Sequence, residues 1–357
     1  MNKGIIVVAA LVLCSGWRSP VKKETPAILN QAKTNTMEDF YRFTPILKET
    51  IWGGNRIAEL KNIRTKSSPI GESWEISGVI GHESIVSEGH YQGLTIRQLI
   101  AEQRKRLVGH ACYKHYGTEF PLLIKLIDAR DDLSIQVHPN DETARQHGFK
   151  RGKTEMWYAL SSAPEARLYN GLQKPLTPSQ FIGMVEQKTI TNALAQYRVS
   201  EGDVFFIPAG RIHAIGRGCF MAEIQQTSDV TYRIYDFDRR DQNGQYRQLH
   251  LREAAESIDY SVHPDYRTHY TPATNRQVHV VRCPYFTTSV ISVQDSMEIS
   301  YAKLDSFVIL IAMKGYATLH FTHGTRTVLS AGQTILLPAT TDSVRIEGNI
   351  TLLESYL

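Results

Sequence analysis

Short apolar runs separated by polar turns dominate this sequence. Residues 122–127 and 204–207 are examples, and the segments between such runs are rich in Gly, Asp, Asn and Pro. This spacing is typical of an all-β sandwich or barrel. Apolar positions at helical spacing are confined to a few segments, at 95–107, 141–147, 177–186 and 251–258. The pattern therefore predicts a mainly β protein with a few short helices.

One of these runs leads into a histidine. Residues 204–207 read as a strand, a Pro-Ala-Gly turn follows, and His213 opens the next strand-like run. This order aims the imidazole into the mouth of a small β-barrel. Upstream, Gln136 and His138 stand two residues apart. Alternate residues of a strand share a face, so both side chains can point at one spot.

A carboxylate completes a candidate metal site. Glu155 lies at the start of an apolar stretch, two residues after Lys153. Taken alone, each histidine could be a hydrogen-bonded core or turn residue, and Glu155 a solvated carboxylate at a strand edge. Together, two imidazoles, one carboxylate and one amide oxygen suit a divalent metal with an open position. The predicted ligands are Gln136, His138, Glu155 and His213, of which the amide of Gln136 is the weakest donor.

Composition narrows the class of protein. The chain of 357 residues fits two or three domains, and 42% hydrophobic and 21% charged residues are ordinary for a soluble globular protein. A net charge of +4, with scattered Lys and Arg, gives no case for nucleic acid. The four cysteines lie far apart without a Cys-x-x-Cys, so neither a zinc ribbon nor a disulfide framework is expected.

The C-terminal part contains an internal echo of the histidine segment. Residues 332–343 repeat the spacing of residues 202–213, with Thr340 in place of Gly210 and Ser343 in place of His213. We interpret this as a second barrel that lacks metal ligands, in which His320 and His323 are surface or packing residues. The predicted organisation is an N-terminal extension (1–36), a metal-binding domain (37–258), a polar linker (259–276) and a C-terminal domain (277–357).

The N-terminus allows two interpretations. Lys3 and an apolar run at 4–13 look like a secretory signal peptide, and Cys14 could carry a lipid, although Leu13 before it fits that motif poorly. The run is too short to span a bilayer. Alternatively, Met37 is the functional start and residues 1–36 are an upstream extension. We expect no stable membrane contact.

The histidine segment carries a resemblance to a known family. The pattern in residues 202–213 resembles the second motif of the cupin superfamily, which consists of Gly, five residues, Pro-x-Gly, two residues and His. Together with Gln-x-His and Lys-x-Glu, the resemblance narrows to type I mannose-6-phosphate isomerases. Segments 45–54, 71–77, 121–127 and 226–233 agree in the family's order. The resemblance implies two cupin (jelly-roll) barrels, the second without ligands, one Zn²⁺ per chain and a short bacterial form.

The same resemblance implies an activity and a set of catalytic residues. The expected reaction interconverts mannose 6-phosphate and fructose 6-phosphate by enediol-type proton transfer, which requires a base and a cation for the enediolate. Arg233, Lys153 and Asp229 match the family pattern for these roles. A surface ion pair and a solvated lysine are the alternatives. Gly152 stands where many members carry a histidine. A histidine at this position therefore cannot be the base in this chain.

Substrate binding is assigned by resemblance as well. Lys125 and Ser134 match the family's anion-binding positions, and Trp74 shapes the pocket; an outward-facing lysine and a packing tryptophan are the alternatives. A sugar-phosphate enzyme is expected in the cytoplasm, where its substrate is made. Two other functions stay open at this point, which are an iron-dependent cupin oxygenase and a non-catalytic sugar-binding cupin. The oligomeric state and the identity of the base are not predicted.

Overall fold

The structure is a computed structural model that describes residues 37–63, 69–241 and 243–357. The predictions for residues 1–36 lie outside this range. Strands predominate, as predicted. The strands are β1 Phe43–Thr44, β2 Ile46–Gly54, β3 Ile70–Ser77, β4 Ile85–Val86, β5 Leu122–Asp128, β6 Ile135–Val137, β7 Glu155–Ser162, β8 Arg167–Leu172, β9 Leu194–Arg198, β10 Val204–Ile207, β11 His213–Ile215, β12 Cys219–Gln226, β13 Tyr232–Tyr235, β14 Arg267–Thr268, β15 Gln277–Arg282, β16 Thr287–Val293, β17 Ser296–Ser300, β18 Val308–Phe321, β19 Arg326–Ser330, β20 Thr334–Leu337 and β21 Ser343–Tyr356.

Short helices connect the strands, and each predicted helical segment contains one. Thr95 and Thr177 form capping boxes with Gln98 and Gln180, which satisfies backbone donors at the first turn and fixes where two helices begin. The helices of the described residues are α1 Arg56–Leu60, α2 Ile96–Gln103, α3 Lys105–Val108, α4 His110–Tyr116, α5 Asp141–Gln146, α6 Pro178–Glu186 and α7 Leu251–Ser257, with a 3₁₀ turn at Ile190–Ala193.

Two sheets form the N-terminal cupin. One has seven strands in the order β14-β10-β7-β12-β5-β3-β2, and the other has five in the order β13-β6-β11-β8-β9. Side chains from both sheets share one core, in which Ile127 and Trp157 of the first meet Leu168 and Ile215 of the second. The sheets therefore pack face to face, and neither closes by hydrogen bonds into a cylinder. The mainly β, cupin-type fold is confirmed.

Alternation along β5 decides which side chains enter the space between the sheets. Leu122, Ile124 and Leu126 pack into a core on the outer face, together with Ile309 and Ile311 of the C-terminal region. Lys125 and Ile127 consequently point the other way, since neighbouring residues of a strand face opposite sides. Because both faces are covered, the strand reads as one continuous apolar run interrupted by a single lysine.

The C-terminal sheet repeats the first architecture around a mainly apolar interior. β15, β16, β21, β18 and β19 are joined in that order, with β17 on β21 and β20 on β18. Its interior is an apolar cluster that includes Val308, Leu310 and Leu337. The predicted second barrel is thus present. Residues 259–276, the predicted linker, contribute β14, which pairs with the edge strand β10 of the first domain.

Candidate metal and sugar-phosphate site

Three predicted ligands converge between the two sheets. Glu155 begins β7, His213 begins β11, and His138 directly follows β6. His138 Nε2 and His213 Nε2 each lie 3.4 Å from a Glu155 carboxylate oxygen. The ligand atoms of all three residues lie within 4.8 Å of one another, and all three side chains are fully buried. This is a compact cluster of electron-pair donors at one point.

Hydrogen bonds to the backbone set the tautomer of both histidines. His138 Nδ1 lies 2.8 Å from the Val230 carbonyl oxygen, and His213 Nδ1 lies 2.8 Å from that of Arg211. A carbonyl only accepts, so each Nδ1 carries the hydrogen and each Nε2 presents a lone pair to the centre of the site. Orientation of this kind by a second hydrogen bond is typical of metal-ligating histidines.

Burial and a neighbouring ammonium keep the imidazoles neutral and the carboxylate charged. Burial, aided by the Lys153 charge, lowers the pKa of His138 to about 3. Burial also lowers the pKa of His213. For Glu155, burial alone would raise the pKa, but Lys153 and the two histidines outweigh it and hold the pKa well below its usual range. Neutral imidazole and ionised carboxylate are the forms that bind a metal.

The donor set fits a divalent cation. Glu155 Oε1 is buried and has no hydrogen-bond partner, although it faces the lone pair of His213 Nε2. Two acceptors that face each other in a buried site repel unless a positive charge lies between them. Lys153 supplies one such charge from the side, with Nζ 3.0 Å from His138 Nε2 and 2.5 Å from Glu155 Oε2.

Strand register places two further predicted residues beside these ligands. Gln136 is paired with His213 on one side and with Arg233 on the other. Directly paired residues of neighbouring strands share a face. Gln136 Nε2 lies 3.3 Å from His213 Nε2, so a half-turn of the carboxamide presents its oxygen to the same point. Ser134 Oγ lies 3.5 Å from Gln136 Oε1.

Ser134, Gln136 and Lys153 border a cavity of about 360 Å³, which is large enough for a small sugar phosphate. The fully buried residues His138, Glu155 and His213 are not part of the cavity lining and lie beside these three. The cavity brings together most of the residues that the sequence singles out. Its lining includes Lys125, Ser134, Gln136, Lys153, Asp229 and Arg233, with Glu72, Trp157, Glu223, Arg247 and His250. Polar surface predominates, as expected for a site that takes a charged, hydroxylated ligand.

Lys125 lies inside the site, but two carboxylates share its charge. Lys125 Nζ lies 3.2 Å from Glu223 Oε1 and 3.6 Å from Glu72 Oε2. Burial would lower the pKa of Lys125, yet the two carboxylates outweigh it and raise the pKa. Trp74 does not line the cavity. Its indole nitrogen donates to Glu72 Oε2 at 2.6 Å, and Trp157 donates to Glu223 Oε2 at 2.9 Å.

Part of the cavity wall carries guanidinium groups that carboxylates only partly neutralise. Arg233 Nη1 donates to the Gln248 carbonyl, and its Nε is buried without a partner. Arg247 also lines the cavity and pairs with Asp236, which pairs with Arg239 as well. Arg247 and Arg239 thus share one carboxylate, and Arg233 adds a third guanidinium, so this part of the site attracts anions.

Comparison with known proteins agrees with this geometry. Residues 40–168 match the family described as phosphomannose isomerase type I, catalytic domain, and residues 275–357 match the mannose-6-phosphate isomerase cupin domain. The chain is 33% identical over 321 residues to mannose-6-phosphate isomerase ManA of Bacillus subtilis, covering 88% of this chain and 98% of the relative. It is 31% identical to mannose-6-phosphate isomerase of Streptococcus mutans, covering 87% and 96%. The chain belongs to the type I phosphomannose isomerase family.

Solved structures of this family share the fold. The crystal structure of mannose 6-phosphate isomerase from Bacillus subtilis superposes with a TM-score of 0.81 at 29% identity, covering 90% of this chain and all of that one. Phosphomannose isomerase from Salmonella typhimurium gives 0.73 at 16% identity, which shows a common fold. Across the described ranges, from Met37 to Leu357 with two short gaps, no helix is long and apolar enough to cross a bilayer.

The departure from the family pattern at Gly152 has a steric cause in this chain. A Cβ added at Gly152 would lie 2.5 Å from the Pro139 carbonyl oxygen and 2.5 Å from the Asn140 carbonyl carbon. The turn that follows His138 therefore packs directly on Gly152. No side chain fits at this position unless the turn moves.

Several cavity residues escaped the sequence analysis. Glu223 had a detectable signal, because it is a charge within the apolar run 219–224, and it pairs directly with Lys125 in the neighbouring strand. Glu72 lies inside a segment that matches the family, but nothing in the local sequence shows that it faces Lys125. Arg247 and His250 follow an irregular segment, so only the fold brings them to the cavity.

Proposed function

We propose that this chain is a metal-dependent mannose-6-phosphate isomerase, which interconverts mannose 6-phosphate and fructose 6-phosphate, and that its metal is one Zn²⁺ per chain. The convergence of His138, Glu155 and His213 beside Lys153 carries this proposal. Family membership supports the substrate, and two imidazoles with one carboxylate suit zinc.

The residues that would hold the metal leave room for substrate oxygens. His138, Glu155 and His213 provide three donors, and the carboxamide oxygen of Gln136 a fourth. A bound divalent cation supplies Lewis-acid polarisation of the sugar carbonyl and adjacent hydroxyl. Asp229, Lys153 and Arg233 supply the remaining functions from the protein.

The reaction removes a proton from C2 of the aldose and returns one to C1, while a hydroxyl proton moves between O1 and O2. Two protein groups beside the ligands are suited to proton transfer. Lys153 is only 3% exposed and lies next to His138. Asp229 is exposed and lies on the cavity wall. We assign proton transfer to this pair, in which either group can act once the sugar is bound.

We assign different cationic side chains to the two ends of the substrate, the enediolate and the phosphate. Arg233 lies beside Gln136 in the strand register, close enough to the ligands to stabilise the negative charge of the enediolate. The phosphate dianion needs positive charge that is not already neutralised. Arg247 shares the single carboxylate of Asp236 with Arg239 and so offers more of it than Lys125, whose ammonium faces both Glu72 and Glu223. Ser134 can donate a hydroxyl hydrogen bond.

A coupled assay that follows fructose 6-phosphate formation from mannose 6-phosphate tests the proposal. We expect activity in the purified protein, loss after treatment with a chelator, recovery with Zn²⁺ and one zinc per chain by elemental analysis. Lys153→Met should lose activity, whereas Lys314→Met, which removes a lysine paired with Glu201 at the surface, should not. Full activity in the metal-free protein, or recovery with iron alone, would contradict the proposal.

A further inference from the structure

The carboxylate of Asp141 joins three parts of the chain. It lies in the first turn of α5, three residues after the metal ligand His138. Its Oδ1 accepts hydrogen bonds from the Gly152 backbone nitrogen at 2.8 Å and from Gln226 Nε2 at 3.1 Å. Its Oδ2 accepts one from the Tyr285 hydroxyl at 3.1 Å. One side chain thus connects the ligand turn, the segment before β7 and the C-terminal domain.

The first two bonds fix the backbone on both sides of Lys153. Asp141 binds Gly152 directly. On the other side, Gln226 Oε1 accepts a hydrogen bond from the Thr154 backbone nitrogen at 2.8 Å. Gln226 is in turn held by its own hydrogen bond to Asp141. The Lys153 nitrogen itself donates to the Pro139 carbonyl at 3.0 Å. Lys153 Nζ therefore reaches His138 and Glu155 from a backbone that these three bonds hold in place.

Close packing makes this arrangement sensitive to small displacements. The absence of a Cβ at Gly152 lets the turn at 139–141 lie directly on the segment that carries Lys153. A shift of the Asp141 carboxylate would be transmitted to Lys153 through backbone atoms rather than through flexible side chains. Misplacement of a reacting group by about 1 Å costs on the order of a hundredfold in rate.

The third bond brings in a different part of the molecule. Tyr285 lies between β15 and β16, within the region that matches the mannose-6-phosphate isomerase cupin domain. Burial and the neighbouring Asp141 raise the pKa of Tyr285 to about 12, so its hydroxyl stays protonated and donates. We infer that Tyr285 is a positioning residue for Lys153, acting through Asp141, and that the C-terminal domain thereby takes part in catalysis. This inference rests on the role proposed for Lys153.

Steady-state kinetics of Tyr285→Phe test the inference against a matched control. The variant should lower kcat about fivefold, the scale of one lost hydrogen bond, while KM for mannose 6-phosphate stays within about twofold and zinc content is unchanged. Tyr301→Phe is the control, because Tyr301 donates to the buried Glu354 at 2.6 Å in the same domain, away from the site. Its thermal stability should fall while kcat is retained.

A double-mutant cycle shows whether the effect passes through Asp141. In an Asp141→Ala background, Tyr285→Phe should change kcat by less than about 1.5-fold, since contacting residues couple. An unchanged kcat in Tyr285→Phe, or an equal loss in both backgrounds, would overturn the inference. Failure of the proposed function looks different, because the wild type would then lack isomerase activity or Lys153→Met would keep it.

Discussion

The segment that ends in His213 and the segment that ends in Ser343 follow a similar backbone course but differ in chemistry. Each begins with a glycine at positive φ, +87° at Gly202 and +82° at Gly332. Each continues as a four-residue strand, a turn that begins with proline and the start of another strand. The internal repeat predicted from spacing is therefore confirmed as a structural repeat.

Strand pairing extends the comparison to the metal ligands. In the first domain, Glu155 of β7 pairs with Ile207 of β10. In the second domain, Val308 of β18 pairs with Leu337 of β20, which stands at the position of Ile207. Val308 thus takes the place of Glu155, just as Ser343 takes that of His213. At these two positions the second domain therefore has neither the carboxylate nor the imidazole of the first.

This contrast shows that the fold does not depend on the ligands. An apolar interior gains stability by removing hydrocarbon from water, whereas a cluster of buried polar groups costs stability unless a metal or hydrogen bonds compensate. The first domain accepts that cost at the ligand cluster between β6, β7 and β11, and again at the buried pair of Lys125 and Glu223. Each of the following predictions exchanges or perturbs a feature in which the two domains differ.

The largest effect is expected from copying the second segment into the first. His213→Ser should remove a metal ligand, abolish zinc binding and lower activity to background, while circular dichroism and the melting transition stay close to the wild type. Ser343→Ala, at the matching position of the second domain, should alter neither. Full zinc occupancy in His213→Ser, or in His138→Ala, would remove that histidine from the ligand set.

A smaller loss should follow from removing the guanidinium beside the ligands. If Arg233 stabilises the enediolate, Arg233→Ala should lower kcat by roughly a hundredfold, with zinc retained and KM much less affected. Arg233→Lys should recover only part of the activity, since a point charge does not reproduce the planar fork. A raised KM with normal kcat would instead assign Arg233 to the phosphate.

The turns of the two segments differ at one residue that affects stability. Gly210 has φ +91°, and its nitrogen donates to the His138 carbonyl at 2.8 Å. Thr340 takes its place in the second segment without a positive φ. Gly210→Thr should therefore lower the free energy of unfolding by about 1–2 kcal/mol and weaken zinc binding through His138. Thr340→Gly should cost under about 1 kcal/mol and leave zinc binding intact.

The smallest expected effect is a loss of stability of the metal-free protein at acidic pH. The pKa of His138 is lowered on folding to about 3. Above about pH 6.5, the usual histidine pKa, the buried neutral His138 does not reduce the free energy of unfolding. As the pH falls below this value the free energy of unfolding decreases, because the unfolded chain binds the proton first. Between pH 6.5 and 5.5 this amounts to about 1 kcal/mol for one histidine. Urea unfolding should show a weaker pH dependence in His138→Gln; an unchanged slope would contradict the assignment.

Local sequence was informative where a side chain acts on its own backbone. The helices at 96–103 and 178–186 begin at threonines that cap them, and both were predicted. Arg56–Leu60 and His110–Tyr116 were not predicted. Both are short, and neither is capped by the side chain of its own N-cap residue. Carboxylates distant in the sequence, Asp128 and Asp305, accept hydrogen bonds from their first backbone nitrogens, so their helical form depends on tertiary contacts.

The site likewise contains residues that local sequence predicted and contacts that it did not. Spacing alone placed His138, Glu155 and His213 in one candidate set, because strand alternation and the turn before His213 restrict where these side chains point. Spacing did not reveal that Lys125 faces Glu72 and Glu223. Those contacts join three strands whose order follows from the sheet and not from the chain, and they decide how much of the Lys125 charge a phosphate can use.

The sequence by itself determined the mainly β cupin fold, the internal repeat, the cluster of His138, Glu155 and His213 and the family, because these depend on residue type and on spacing within short segments. Only the tertiary structure decided which charges are already neutralised and how the C-terminal domain reaches Lys153. The hydrogen bond from Tyr285 to Asp141 joins residues 144 positions apart. Pairings of this kind depend on how whole domains pack, and that packing is set by shape and burial summed over the entire chain.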